Sequence, residues 1–244
     1  MNNDPHHDLR CYAAEFIGTG ALVFFAAGAV VVSATLGGLP GPLIAGVASG
    51  AILTIMVWAF YGLSGAHFNP ALSLALWLLG EFPLNKLPGY LAAQLAGSAI
   101  AAGLLFTTLG GAGNMGANLP NLELGINPSA AFGIEVFLSF LMMLVIRAAF
   151  AAEVPLRQLA PLPIGCIVGI EVMLMGPIAG ASMNPARAFG PTLFLGDWRF
   201  FWIYLAGPVC GIIAGAITWK FLAPPTKPKA GYATSAGKPL DWPT

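Results

Sequence analysis

The chain is a succession of long apolar stretches separated by short polar breaks or breaks rich in glycine and proline. Six stretches reach the roughly 20 residues that a helix needs to cross about 30 Å of hydrocarbon: 11–35, 42–63, 87–109, 130–150, 160–179 and 200–222. Two more, at 69–80 and 184–195, are too short to span and too apolar for a loop in water. The pattern therefore predicts an all-α membrane protein with six transmembrane helices and two re-entrant half-helices.

Composition agrees with a chain that lies in lipid. Of its 244 residues 57% are hydrophobic and 8% charged, against about 25% charged in a soluble domain. The formal net charge is zero, so no basic face is expected for nucleic acid. Cys11, Cys166 and Cys210 lie in apolar stretches without paired spacing and are interpreted as small buried hydrophobic residues. Since HExxH, GxSxG and paired catalytic carboxylates are missing, no enzyme, metal or cofactor is expected.

The basic residues predict the orientation of the chain. An even number of spans places both termini on one side of the membrane. Eight of the ten Lys and Arg residues then fall on that side, and Arg187 and Arg199 fall on the other. The positive-inside rule makes the shared side cytoplasmic.

Residues 1–10 and 223–244 are therefore expected to be cytoplasmic tails, the second of them disordered. The N-terminus lacks the features of a signal peptide, so the first stretch is interpreted as a retained span.

The chain contains an internal repeat. Glu15 matches Glu135 at an offset of 120, and the Asn-Pro-Ala triplets beginning at Asn69 and Asn184 match at an offset of 115. YLAAQLAG at 90–97 matches YLAGPVCG at 204–211. Each copy, at about 11–109 and about 130–222, holds three full spans, so the second copy must enter from the opposite face. The sequence thus predicts an inverted repeat with a pseudo-two-fold axis in the membrane plane.

Each Asn-Pro-Ala triplet stands where a half-helix begins. Asn is a favoured N-cap and Pro a favoured first helical residue, so Asn69-Pro70-Ala71 and Asn184-Pro185-Ala186 start the two half-helices. Inversion makes the two N-termini meet near the middle of the bilayer, where polar backbone must line water or be buried in protein. Each N-terminus carries about half a positive charge, and both Asn amides can donate hydrogen bonds. A neutral hydroxylated solute therefore gains partners there, whereas a cation is repelled.

Together these motifs resemble the aquaporin, or major intrinsic protein, family. SGAHFNPA at 64–71 and NPAR at 184–187 carry the resemblance, which covers 9–222, and GPIAGASMNPARAFGP at 176–191 is similar to the nodulin-26-like channels of plants and their bacterial relatives. The resemblance implies that 11–222 form the channel domain of an aquaporin-like right-handed bundle. It also implies a homotetramer in the lipid bilayer, with one passive pore per subunit that excludes ions and protons. Short loops and tails favour a bacterial inner membrane.

The resemblance assigns roles to ionisable side chains at membrane depth, where such groups are costly. Glu15 and Glu135 would accept hydrogen bonds from the re-entrant loops, and Arg187 would be the donor and cation barrier of the constriction. From its position just before the first turn, on the cytoplasmic approach, His67 is expected to line the vestibule or to brace the first loop, with bracing favoured. Glu171 has no counterpart in the first copy. It is expected to face the bundle interior and bond to the second loop, rather than to approach the pore and alter selectivity.

Four positions set the outer constriction in this family, and here they are Ser49, Val172, Ala181 and Arg187. Water-selective members typically carry Phe, His, Cys or Thr, and Arg, whereas glycerol facilitators carry Trp, Gly, Phe and Arg. The smaller side chains of this sequence predict a wider opening. The leading hypothesis is a channel for water and small uncharged solutes such as glycerol, urea or metalloid hydroxides, arsenite among them. The alternatives are a strictly water-selective channel and, behind it, a secondary transporter, for which ion-coupling groups are lacking.

Overall fold

The computed structural model describes residues 6–153 and 155–223. Every long secondary-structure element in these ranges is an α-helix. The α-helices are α1 (His7–Leu36), α2 (Gly41–Ser64), α3 (Pro70–Leu78), α4 (Leu87–Leu109), α5 (Pro128–Ala151), α6 (Pro161–Ala179), α7 (Pro185–Leu195) and α8 (Phe201–Leu222). Short 3-10 turns lie at Ala112–Gly116, Leu122–Leu124 and Leu156–Leu159. Within the described ranges, six helices are long and apolar enough to cross a membrane. The predicted all-α membrane architecture is confirmed.

The helices end within a few residues of the predicted spans. The largest difference is at α1, which begins at His7 rather than at residue 11. Asp8 lies in the first turn of α1, where a carboxylate interacts favourably with the helix dipole, so the polar residues before the apolar run continue the helix. The predicted disordered tail lies outside the described residues, except for Ala223.

Packing follows the inverted repeat. In the first copy α1 packs on α2 and α4, and in the second α5 packs on α6 and α8. The copies join through α2 and α6, and each half-helix also contacts the other copy, α3 on α8 and α7 on α4. Individual hydrogen bonds repeat as well. Tyr90 Oη donates to the carbonyl oxygen of Ser64 at 2.7 Å, and Tyr204 Oη donates to that of Ala179 at 2.8 Å. Each tyrosine therefore binds the end of the helix that precedes a re-entrant loop.

Helices α2 and α6 approach closely because glycines face each other. A Cβ added at Gly46 would lie 2.6 Å from the carbonyl oxygen of Gly169, and one at Gly50 would lie 2.7 Å from that of Gly165. Such small residues at every fourth position let helix backbones come together in a membrane. The contact sets the distance between α2 and α6, the helices that carry two of the four predicted filter residues.

The prediction of three buried cysteines is wrong for two of them. Cys11 is buried, but Cys166 on α6 and Cys210 on α8 are exposed at the outside of the bundle. An apolar stretch in a membrane protein is apolar on its lipid-facing side as well, so hydrophobic surroundings in the sequence do not imply burial in the protein.

Replacing Gly46 by alanine tests the contact between α2 and α6. The new methyl group would lie 2.6 Å from both the Gly169 carbonyl oxygen and Met173 Cβ. Overpacking of this kind costs about 1–3 kcal/mol, so we expect a lower melting temperature in detergent. The matched control is Gly62→Ala on the same helix, where an added Cβ meets nothing within 4 Å, and it should not lower the melting temperature. Equal melting temperatures for the two variants would contradict the close packing.

Candidate functional site

The two half-helices begin side by side, and Asn69 connects them. Its Oδ1 caps α3 by accepting hydrogen bonds from the N–H groups of Ala71 at 2.9 Å and Leu72 at 3.4 Å. Its Nδ2 donates to the carbonyl oxygen of Met183, in the other re-entrant loop, at 2.8 Å. One side chain therefore both starts its own half-helix and holds the opposite loop.

Asn184 repeats the arrangement in the second copy. Its Oδ1 accepts from the N–H groups of Ala186 at 2.9 Å and Arg187 at 3.3 Å, and its Nδ2 donates to the carbonyl oxygen of Phe68 at 2.7 Å. We call the reciprocal pair of bonds, Asn69 to Met183 and Asn184 to Phe68, the Asn bridge. Because the bridge uses one N–H of each amide, each Asn retains one N–H, not two, for a passing solute.

The backbone before each Asn is strained. Ala66 and Phe68 have φ angles of 50° and 48°, and Ala181 and Met183 have φ angles of 45° and 50°. The left-handed conformation costs a residue other than glycine about 1–2 kcal/mol. The same alternation occurs one and three residues before each Asn, so the strain belongs to the repeated loop design and has to be supported from outside the loops.

Glu15 and Glu135 supply this support. Glu15 accepts hydrogen bonds from the backbone N–H groups of the two residues before Asn69, at 2.9 and 2.7 Å. Glu135 accepts from those of the two residues before Asn184, at 2.7 and 2.9 Å. These are the contacts that the family resemblance implies for both residues. Since N–H and C=O of one trans peptide point in opposite directions, the carbonyl groups of these peptides face away from the carboxylates.

The first loop has further donors beyond those expected from the sequence. Ser64 Oγ and Gln94 Nε2 also donate to Glu15, at 2.7 and 2.8 Å. Their counterparts in the second copy are Ala179 and Pro208, which have no side-chain donor. The first carboxylate therefore has four donors and the second has two. Gln94 gave a signal in the sequence, since it is a polar side chain in the apolar run YLAAQLAG.

A cavity of about 630 Å³ runs beside the Asn bridge. Its lining includes both bridge asparagines and all four predicted filter residues, Ser49, Val172, Ala181 and Arg187. A second cavity of about 330 Å³ adjoins it. Of the described residues, Val172 and Arg187 are the two that line both cavities. The two cavities therefore meet at these two side chains.

Arg187 is held where the two cavities meet by the loop between α4 and α5. Its Nη1 donates to the carbonyl oxygen of Gly116 at 2.9 Å and to Asn118 Oδ1 at 3.1 Å. Asn118 Nδ2 donates in turn to the carbonyl oxygen of Gly180 at 2.7 Å. Arg187 is 8% exposed, so it is not a surface residue that reaches for water. Asn118 could not be predicted, because nothing in the sequence of an Asn- and Gly-rich loop shows which amide folds back onto the bundle.

His67 lies where the first loop meets the main cavity. Its Nδ1 is 2.9 Å from Ser73 Oγ on α3, and its ring centroid is 4.9 Å from that of Phe82 and 5.1 Å from that of Tyr90. The ring is thus packed as a brace between the loop and its surroundings, and it also forms part of the cavity wall.

Glu171 is buried, but its predicted bond to the second loop is wrong. The residue is 4% exposed, and neither carboxylate oxygen has a hydrogen-bond partner among the described residues. The N–H groups of Ser182 and Met183 are already donated to Glu135. Glu171 lines neither of the two cavities.

Comparison with known proteins identifies relatives over almost the whole chain. The sequence profile of the family described as "Major intrinsic protein" matches residues 4–219. "Aquaporin NIP1-3" of Oryza sativa subsp. japonica is 37% identical over 237 residues, which cover 93% of this chain and 79% of that protein. "Aquaporin NIP3-1" of Arabidopsis thaliana is 36% identical over 215 residues, which cover 85% and 66%. The X-ray structure of the aquaglyceroporin from Plasmodium falciparum superposes with a TM-score of 0.75 at 25% identity, covering 87% of this chain and 95% of that one.

The unequal donor sets predict unequal costs for neutralising the two loop-supporting carboxylates. A glutamine in place of Glu15 turns an NH₂ group toward two donors, whereas one in place of Glu135 turns it toward a single donor. A buried donor left without an acceptor costs about 1–3 kcal/mol. We therefore expect Glu15→Gln to lower the melting temperature more than Glu135→Gln, and the exposed Glu123→Gln to leave it unchanged. The reverse order would show that the loops are held by something other than these bonds.

Proposed function

The chain belongs to the major intrinsic protein family, and on that premise we propose that it is a passive channel for water and small uncharged solutes such as glycerol, urea or metalloid hydroxides such as arsenite. As a member of this family it is a multi-pass integral membrane channel and not an enzyme. The observation that carries the proposal on solutes is the position of Val172 and Arg187 in the linings of both cavities.

The composition of the constriction supports a wide range of neutral solutes. Val172 and Ala181 carry no hydrogen-bonding group, and Ser49 Oγ donates to its own helix, to the carbonyl oxygen of Ala45, at 2.7 Å. Arg187 is thus the one side chain of the four that is free to donate into the passage. With small side chains and few fixed donors, the opening selects weakly by size, which favours the broad channel over the strictly water-selective alternative.

Charge exclusion is proposed to come from the helix N-termini and Arg187. The two half-helices begin at the Asn bridge, so the positive ends of both dipoles lie beside the main cavity. Arg187 adds a full positive charge at the constriction. The acid among the cavity-lining residues is Glu81, which forms a 2.6 Å ion pair with Arg147. A cation in the passage therefore meets these positive ends without an unpaired carboxylate in the lining of the cavity.

Assembly and location are proposed from the family resemblance. We infer a homotetramer with one pore per subunit and with both termini in the cytoplasm. The outer surface supports burial in lipid or against other subunits, since large apolar side chains such as Trp58 and Phe221 are exposed on it. A bacterial inner membrane stays a prediction, because the relatives named above come from plants.

The solute range can be tested in proteoliposomes by stopped-flow light scattering with water, glycerol, urea and arsenite. Replacing Ser49 by Phe should narrow the opening. We expect the flux of glycerol, urea and arsenite to fall about tenfold, which corresponds to an added barrier of about 1.4 kcal/mol. The flux of water should fall less. The matched control is Ile55→Phe, which adds the same ring to an exposed position of α2 that lines neither cavity.

Each outcome of the panel discriminates between the candidate functions. Wild-type protein that conducts water but none of the three solutes would establish the strictly water-selective alternative. Flux that saturates with solute concentration or depends on an ion gradient would indicate a secondary transporter. If Ser49→Phe and Ile55→Phe reduced solute flux equally, Ser49 would not be a filter residue.

A further inference from the structure

Glu171 is an ionisable group that the proposed channel mechanism does not use. It follows Val168, which lines the main cavity, by three residues, and it directly precedes Val172, which lines both cavities. Residues three apart lie on the same side of a helix. Glu171 therefore borders the cavity-lining side of α6 at the level of the constriction. Its counterpart in the first copy, at an offset of 119, is Ile52, so the repeated fold does not require a carboxyl group here.

The surroundings of Glu171 suit a neutral carboxylic acid. Its two oxygens are buried and have no donor within the described residues, whereas Glu135, which is also buried, accepts two backbone N–H groups. A carboxylate buried without donors or a counter-ion carries a large desolvation penalty. Of the two acids, Glu171 is therefore the one that needs a proton.

The elements that pack on α6 offer Glu171 no cation of its own. They are α2, α5 and the turn Leu156–Leu159, and their charged or titratable side chains are Tyr61, Glu135, Arg147 and Arg157. Arg147 is paired with Glu81. Glu135 is the group that interacts electrostatically with Glu171, and Glu135 interacts in turn with Arg187. With one proton on Glu171, this group of two acids and one guanidinium is neutral; without that proton it carries a net negative charge.

We propose that the protonation of Glu171 sets the charge and the width of the filter and so makes the flux through the channel depend on pH. As a neutral acid it stays buried beside Val172 and leaves Arg187 as the charge of the constriction. As a carboxylate it must acquire donors, and the water of the main cavity, on the side lined by Val168 and Val172, supplies them. Ionisation therefore draws the carboxylate into the filter, where it narrows the passage and offsets the positive charge. This inference rests on the proposed channel function.

The test measures water flux through the full chain in proteoliposomes with equal pH inside and outside, from about pH 5 to about pH 9. We expect the flux of the wild-type protein to fall severalfold toward alkaline pH. Glu171→Gln and Glu171→Met should both conduct at the acidic wild-type level throughout. The control Glu123→Gln, at an exposed position in the loop between α4 and α5, should keep the wild-type profile. Infrared difference spectra should show a carboxylic-acid carbonyl band at acidic pH that titrates over the same range and is missing from Glu171→Gln.

The outcomes separate this inference from the proposed function. A conducting wild-type channel whose flux is independent of pH, or a pH profile retained in either neutral variant, overturns the inference and leaves the channel intact. A folded wild-type protein that conducts no water at any pH overturns the proposed function and the inference with it. If Glu171→Gln does not fold, Glu171→Met and the wild-type infrared band decide, and a wild type without a titrating carboxylic-acid band overturns the proposal.

Discussion

Two hydrogen bonds at the centre of the bundle hold the structure in its functional form. The amides of Asn69 and Asn184 each donate to a carbonyl oxygen of the opposite re-entrant loop. Because each Asn also caps its own half-helix, the position of either helix start depends on the other copy of the repeat. Neither half-helix is long enough to span a membrane alone. The bridge therefore turns two short helices into one membrane-crossing element with two positive ends at its middle.

This arrangement requires backbone that is both strained and polar at membrane depth. Ala66, Phe68, Ala181 and Met183 adopt the left-handed conformation, and the N–H groups of the loops would be without acceptors if Glu15 and Glu135 were absent. Each buried carboxylate is costly by itself and is satisfied by the donors that the loop exposes. The carboxylates thus stabilise the strained loops, and the N–H groups of the loops stabilise the buried carboxylates. The two features therefore occur together in both copies.

The proposed constriction combines contributions from parts of the chain that are distant in sequence. The glycine contact between α2 and α6 sets the separation of Ser49 and Val172. The loop between α4 and α5 reaches over the bundle to hold Arg187 through Gly116 and Asn118. In our proposal, selectivity is set by single side chains that do not hold the half-helices in place. Glu171 is one of them, since it directly precedes Val172 and takes no part in the support of the second loop.

The sequence by itself determined the spans, the inverted repeat and the two helix starts, because hydrophobic length, repeated motifs and N-cap chemistry are local properties of the chain. It also indicated Glu15, Glu135 and Arg187, since charged residues in apolar runs are conspicuous. The tertiary structure decided which partners these groups find. Which helix faces and loop atoms come together decides the remaining features. These are the roles of Asn118 and Gln94, the exposure of Cys166 and Cys210, and the unpartnered carboxyl group of Glu171. Residues far apart in the chain supply those contacts, so no local pattern contains them.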